Sequence, residues 1–438
     1  MSDAPLARQL DRADVVAVNL GAMLGAGVFV VFAPAAAAAG GPGLLAAVVV
    51  AGVVAYCNAV SSSRLAVRHP ESGGTYVYGR QRLHAFAGFL AGWGFVAGQT
   101  AACAALALTV GAYLWPAHFR QVAALTVLLL AGVNLLGIRR TARTTRWLVA
   151  VTLAVLAVVT VVGATAGSAQ WALLTDRADA RPSGVLTAAG LLFFAFVGFT
   201  RIATLGEEVR EPPHTIPRMA PLALGIAVAV YALVAAVALA VLGPRRLASA
   251  GAPLAEVVAE AGLPGLGILV RVGATVSVVG VLLALSAGVG RTVLAMARRG
   301  DLPGALAAVH PRRQVPHRAE LIVAAAVIVL VALGDVRAAV GFASFTMLVY
   351  FAITNVSALT LGREPGRRLP VQSLSTLGLV GSAVLAATLP VASVVAGLAV
   401  LAVGAAGFAA RHLAERRRAG RRRAGRRGAG RQPSGRRS

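Results

Sequence analysis

The chain is 438 residues long, 58% apolar and only 13% charged, with a mean hydropathy of +0.78. These values lie far from those of soluble domains, and the apolar residues come in runs of roughly 20, long enough to cross a bilayer. Helices of a water-soluble bundle would show a polar face, which these runs lack. The formal net charge is +25, and all 41 basic residues are Arg, with no Lys anywhere.

In chain order, the start Met1–Ala13 is polar and carries no secretory signal, and the run after it is too long for a signal-peptide core. Twelve spans follow: 14–38, 42–63, 86–112, 121–138, 147–167, 184–206, 219–243, 265–297, 319–334, 338–361, 371–389 and 391–410. No connection exceeds about two dozen residues, so no soluble domain is expected between spans. The fold class is therefore an all-α membrane protein.

Two spans are interrupted by small residues at matching places. Span one contains Gly21-Ala22-Met23-Leu24-Gly25-Ala26-Gly27-Val28-Phe29, and span six contains Phe193-Phe194-Ala195-Phe196-Val197-Gly198-Phe199-Thr200. Gly21 and Gly25 alone also fit a helix-packing motif. Broken helices at corresponding positions in two halves, however, point to a transporter's binding site, because unwound backbone is tolerated at membrane depth only where it lines a cavity or is buried in protein.

The connections alternate in charge. The start, 64–84, 139–146, 206–218, 298–318 and 363–368 together hold 20 Arg, whereas the set near 113–120, 168–183, 244–264 and 335–337 holds six. Basic connections favour the cytoplasm. Both termini are thus expected inside, in a plasma (inner) membrane, which requires an even number of spans. The tail from Arg411 to Ser438 holds 12 Arg against one acid, Glu415. It reads as a disordered cytoplasmic extension lying near anionic lipid headgroups, and nucleic acid is not expected as a partner of a tail tethered to so many spans. A homodimer is left open.

Cys57 and Cys103 fall inside spans two and three, where buried packing is the expected role and a bridge between them stays open. The seven histidines, His69, His84, His118, His214, His310, His317 and His412, fall in connections or at span ends. No Cys/His cluster has ligand spacing, so neither a metal nor a cofactor is expected.

Five stretches carry a resemblance. The first break, His69-Pro70-Glu71-Ser72-Gly73-Gly74-Thr75-Tyr76-Val77-Tyr78, Gly88-Phe89-Leu90-Ala91-Gly92-Trp93, the run from Phe193 through Glu207-Glu208-Val209-Arg210-Glu211-Pro212 to Arg218, and Arg291 to Pro303 occur in the order and spacing of one family. From about residue 13 to 410 the chain resembles the amino acid–polyamine–organocation superfamily of transporters. That resemblance implies the leucine-transporter-type fold: two inverted five-helix repeats (14–167 and 184–361) plus two peripheral helices (371–410).

It also implies a site. Amides around Ala26, Gly27 and Val28, opening the second half of span one, would receive a substrate carboxylate, with Gly25 and Gly27 allowing close approach. Carbonyls of Met23, Phe194 and Val197 would receive the ammonium group. The expected substrate-binding set is Ala22, Met23, Gly25, Ala26, Gly27, Gln99, Thr100, Phe194, Val197, Gly198 and Thr200. Phe196 and Phe199 are further aromatic candidates, each read as wall or as core. Gln99 and Thr100 read equally well as substrate contacts and as interhelical hydrogen bonds.

With no acid in the middle of any span, a second positive charge on the substrate would go unpaired, which favours neutral amino acids over polyamines or arginine. Coupling candidates are Gly21, Leu24, Thr152, Arg201, Glu207, Glu208 and Ser286. Relatives often have an acid at the place of Thr200 and commonly a Glu at Arg64, and some carry a Lys near Thr152; this chain departs from all three. Facilitated exchange, or sodium held by the carbonyls of Gly21 and Leu24 with Ser286, is therefore expected ahead of proton symport, whose fallback would be Glu207 and Glu208. Arg271 is expected to snorkel to the outer interface. The alternatives within transport are a cationic amino acid or polyamine antiporter and an exporter. Those outside it are an intramembrane enzyme, for which Ser277, Ser286 and Thr152 lack a base, and a sensor.

Overall fold

The computed structural model describes residues 12–69, 73–137, 142–175, 182–200, 212–362 and 371–429. Helices occupy all twelve expected positions. Span one is built of three pieces, Arg12–Leu24, Gly27–Val30 and Phe32–Ala39. Spans two to five are Gly43–Arg68, Ala85–Leu114, Phe119–Leu135 and Ala142–Ala164. Span six is Gly184–Phe196, continued by the 3-10 turn Val197–Thr200. Spans seven to ten are Pro212–Ser249, Pro264–Arg298, His317–Leu333 and Val336–Leu359. Spans eleven and twelve are Val371–Thr388 and Val391–Ala429. Among the described residues nine helices are long and apolar enough to cross a membrane, and the shorter apolar helices Gly184–Phe199 and Gln372–Thr388 stand between them.

Two short helices outside the spans were not expected. Thr75–Arg82 follows a turn in which Gly73 and Gly74 take positive φ of 138° and 57°. Pro253–Glu260 opens on a proline whose fixed φ suits a first turn.

The packing pairs exchange when five is added to each span number. Span two packs on span six, and span seven on span one. Span three packs on span ten, and span eight on span five. Spans three and eight face each other, as do spans four and nine. A fold whose contacts map onto themselves in this way is an internal repeat of five helices, and an odd number of spans per repeat inverts the second in the membrane. Spans eleven and twelve lie outside it. Span eleven packs on spans two, six and ten, and span twelve on spans three and ten.

Polar side chains join spans two, ten and eleven. Asn58 accepts from Asn355 Nδ2 at 2.7 Å and donates to the Ser382 hydroxyl at 3.1 Å, while Ser61 and Ser375 share a hydrogen bond of 2.9 Å. Hydrogen bonds between buried polar groups fix helix pairs where lipid offers no alternative partner. Cys57 and Cys103 are both buried and are not bridged.

One face of the bundle gathers the basic ends of the helices. There Arg64 donates to the Gly362 carbonyl at 3.2 Å, Arg313 to that of Leu135 at 3.3 Å and Arg411 to that of Gly300 at 2.6 Å. These guanidinium groups meet carbonyls left over at helix ends, where the dipole is negative. The last span does not stop at this face. Its helix runs on to Ala429, through most of the stretch expected to be disordered. Ala, Arg and Glu are all strong helix formers, so a helix already nucleated in the membrane propagates into them.

Candidate functional site

Span one breaks at Gly25 and Ala26. The last regular bond of its first piece runs from the Gly25 amide to the Gly21 carbonyl, 3.1 Å. Ala26 then leaves helical geometry (φ −133°, ψ −49°), and the helix restarts at Gly27. Amides at the start of that second piece have no carbonyl one turn back within it, so they face out of its N-terminal end with the positive pole of the helix behind them.

Span six changes winding instead of unwinding. The Val197 amide reaches back to the Phe194 carbonyl, and the four residues Val197–Thr200 continue as a tighter 3-10 turn. The change leaves the Ala195 carbonyl without its ordinary helical partner four residues on.

The two interruptions touch each other. A Cβ built on Gly27 would lie 2.5 Å from the Cα of Ala195, and one on Gly198 would lie 2.6 Å from the amide nitrogen of Met23. Only glycine permits both approaches. Tyr231 of span seven closes the crossing: its hydroxyl stands 2.7 Å from the Met23 carbonyl and 3.1 Å from that of Ala195. Its ring packs edge-on against Phe196 at 5.0 Å and Phe32 at 6.3 Å. This residue was not read from the sequence, and a Tyr in an apolar run gives no signal of where its hydroxyl points.

The other expected residues divide. Ala22, Met23, Gly25, Ala26, Gly27, Phe194, Val197 and Gly198 lie at or beside the crossing. The Met23 and Phe194 carbonyls, expected to meet an ammonium group, already accept from Tyr231 and Val197. Among the aromatics, Phe196 is fully buried against Tyr231, and Phe199 packs on Phe351 at 5.0 Å. Phe194 alone is partly exposed, packing with Leu285 and Phe342 around Ala101, Ala102 and Ala343, between spans three, eight and ten. Gln99 turns instead to span ten, its Nε2 3.4 Å from the Met347 sulfur. Thr100 donates to Val96 of its own helix at 2.7 Å.

The coupling candidates are also dispersed. Gly21 packs on Val149 and Thr145 of span five. Thr152 bonds the Ser277 hydroxyl at 2.8 Å, joining spans five and eight, and both are buried. Ser286 lies nine positions further along span eight, about 14 Å at 1.5 Å per residue, and turns to Asn134 of span four at 2.9 Å. Leu24 is buried in the main core. Arg201, Glu207 and Glu208 lie outside the described residues, as does the side chain of Thr200. Arg271, expected to snorkel, donates to the Tyr113 carbonyl at the end of span three, 3.0 Å.

Two buried polar residues were missed. Asn19, one turn and a half before the first break, is fully buried, and neither its oxygen nor its nitrogen has a hydrogen-bond partner. Glu320, in the first turn of span nine, is 4% exposed. An acid there reads from sequence as a solvated helix start. The residues that enclose it come from other spans.

The comparisons agree with this architecture. The family described as Amino acid permease matches residues 10–413. An uncharacterized transporter of Mycobacterium tuberculosis is 57% identical over 408 residues, covering 93% of this chain and 92% of the relative. A vacuolar cationic amino acid transporter of Arabidopsis thaliana is 26% identical, covering 84% of this chain and 62% of its own length. A branched-chain amino acid permease of Bacillus subtilis is also 26% identical, covering 71% and 72%. The interruptions of spans one and six held against each other, a five-helix unit that occurs twice and a family match over residues 10–413 make the chain a multi-pass membrane transporter that belongs to the amino acid permease family.

Proposed function

We propose that the protein moves neutral amino acids across the plasma membrane by alternating access, with the Arg-rich face in the cytoplasm. The observation that carries this is the glycine-dependent crossing of the break in span one with the rewound turn of span six, where Gly27 approaches Ala195. A carboxylate docks on the amides of Ala26, Gly27 and Val28 at that break without a charged side chain. Phe194, Leu285 and Phe342 offer an apolar surface for a side chain, and the sequence puts no acid in the middle of any span. A second positive charge on the substrate would go unpaired there. The positive-inside distribution of Arg supports the orientation.

The test is a panel of radiolabelled amino acids in proteoliposomes loaded with unlabelled substrate. Leucine-like substrates should exchange, and arginine and putrescine should not. Exchange of arginine with no exchange of any neutral amino acid would overturn the substrate class.

A further inference from the structure

Glu320 sits in a built environment that the substrate site does not use. Its carboxylate accepts from Asn134 Nδ2 at 3.4 Å, and the same nitrogen donates to Ser286 at 2.9 Å. Span eight makes room for the carboxyl group at Gly290, where a Cβ would lie 2.8 Å from its carboxyl carbon. Beside it is a partly open void of about 20 Å³, lined mainly by apolar side chains such as Leu130, Val323 and Val327, with Cys103, Ser286 and Glu320 as its polar members. That volume has room for one water molecule, for which Glu320 and Ser286 are the hydrogen-bonding partners in the lining.

From these observations we propose that Glu320, with Asn134 and Ser286, is a membrane-embedded proton site. The carboxylate takes a proton from water in the cavity, forming an O–H bond and losing its charge, and returns it to water on the other stroke. A metal cation fits less well, because Asn134 presents its amide nitrogen, a donor, to both oxygen ligands. The facing groups from each packed element are few. Span eight supplies Arg291, the charge that interacts with Glu320. Span three supplies Cys103, at the cavity wall. Span four supplies Asn134, its Arg120 being bound at the opposite end of span nine to the Ala332 carbonyl. The short turn Gly304–Ala307 carries no titratable side chain. On span nine itself His317 lies one turn nearer the Arg-rich face, with its Nδ1 buried and without a partner, and its ring is 5.9 Å from that of His310.

The link to transport is span eight. Val281, five residues before Ser286, packs on the first break: a Cβ on Gly25 would lie 2.8 Å from its Cγ2. Losing the charge on Glu320 weakens its bond to Asn134, and with it the tie between spans four, eight and nine.

This inference rests on the transport reading, and the two fail separately. Infrared difference spectra of the full-length protein in lipid, taken between pH 5 and pH 9, test the site without any substrate. A carboxylic C=O band that titrates in the wild type and vanishes in Glu320→Gln is expected. A spectrum unchanged by the substitution would overturn the proposal. So would a wild-type protein with no titrating band, which keeps the test decisive if the variant misfolds. In proteoliposomes an inward proton gradient should drive accumulation by up to roughly tenfold per pH unit at one proton per substrate. Glu320→Gln should exchange substrate at a rate that no longer varies with pH, and should not accumulate it. Accumulation that survives the substitution would also overturn the proposal, whereas a titrating band in a protein that exchanges no amino acid would overturn the transport reading alone.

Discussion

The Tyr231 hydroxyl donates to the Met23 carbonyl at 2.7 Å, one residue from the peptide that Gly198 of span six presses against. Met23 would ordinarily bond the Gly27 amide, and the break removes that partner. A third helix thus satisfies a carbonyl freed on the first, and at 3.1 Å reaches the Ala195 carbonyl of the second. The two interruptions are held as one unit, and any rearrangement of either half-helix must move or release this hydroxyl.

Tyr231→Phe keeps the ring and its contact with Phe196 but leaves the buried Met23 carbonyl without its donor and takes the hydroxyl away from that of Ala195. Stability should fall by about 1 kcal/mol, the usual value of an interhelical hydrogen bond in a membrane. Transport should fall further than that loss explains, because the crossing loses its pin. Thermal unfolding in detergent and exchange in proteoliposomes measure the two. A variant with wild-type values of both would show that the hydroxyl is incidental.

Gly27→Leu and Gly198→Ala test the close approach. Each would place a side chain inside the partner helix's backbone, at Ala195 and at Ala22 and Met23 respectively. Substrate binding should be lost while the protein still reaches the membrane. Gly132→Ala and Gly225→Ala are the controls, since an added Cβ there meets nothing within 4 Å. They should leave transport intact and, if anything, gain up to about 1 kcal/mol of helix stability. Retained binding in a folded Gly27→Leu protein would sink the proposed carboxylate site.

How much of this is legible in sequence depends on the range of the interaction. Spans are local: a run of apolar residues has one solution in lipid, a helix, and all twelve positions follow. The breaks are local as well, since Gly25, Gly27 and Gly198 announce that backbone is needed there. Side-chain partners are not. Gln99 lies at mid-span in either case, and only the packing of span three on span ten decides that it faces Met347. Glu320 looks like a helix start until Gly290, Asn134 and Ser286, from two other spans, close around it. The extension of span twelve to Ala429 was missed for a different reason: without apolar periodicity the Arg-Ala stretch gave no packing signal, although its propensity is helical.

At the Arg-rich face, Asp301 holds the short helix Thr75–Arg82 against the end of span eight. It accepts from the Tyr76 hydroxyl at 2.5 Å and from Arg80 at 2.7 Å, and Arg299 lies over the Tyr76 ring at 5.4 Å. Asp301→Ala should cost roughly 1.5–3 kcal/mol, the range for hydrogen bonds to a charged group. Burial, and then the bond to Asp301, raise the Tyr76 phenol above its ordinary value. The folded state therefore favours the protonated phenol, so this contribution is complete below about pH 10 and is lost as pH rises above it. Thermal melts of wild type and variant between pH 7 and pH 11 check both statements. A difference between them that is already gone at pH 8 would contradict the assignment.

Asn19 carries a prediction with two readouts of opposite sign. It is fully buried in the first piece of span one, and both ends of its amide lack partners. Replacing a buried unsatisfied polar group with an apolar one of similar size is close to neutral or stabilising. Asn19→Leu should thus melt no lower than the wild type. A native chain keeps such a group where another state of the protein uses it, and the side chain sits one turn and a half from the break that has to rearrange. Exchange should accordingly fall by at least about tenfold, equivalent to 1.4 kcal/mol, in a protein whose melting temperature has held or risen. Full activity together with unchanged stability would mean that Asn19 has no part in the cycle. A large drop in melting temperature would mean that its amide is paired in the membrane after all.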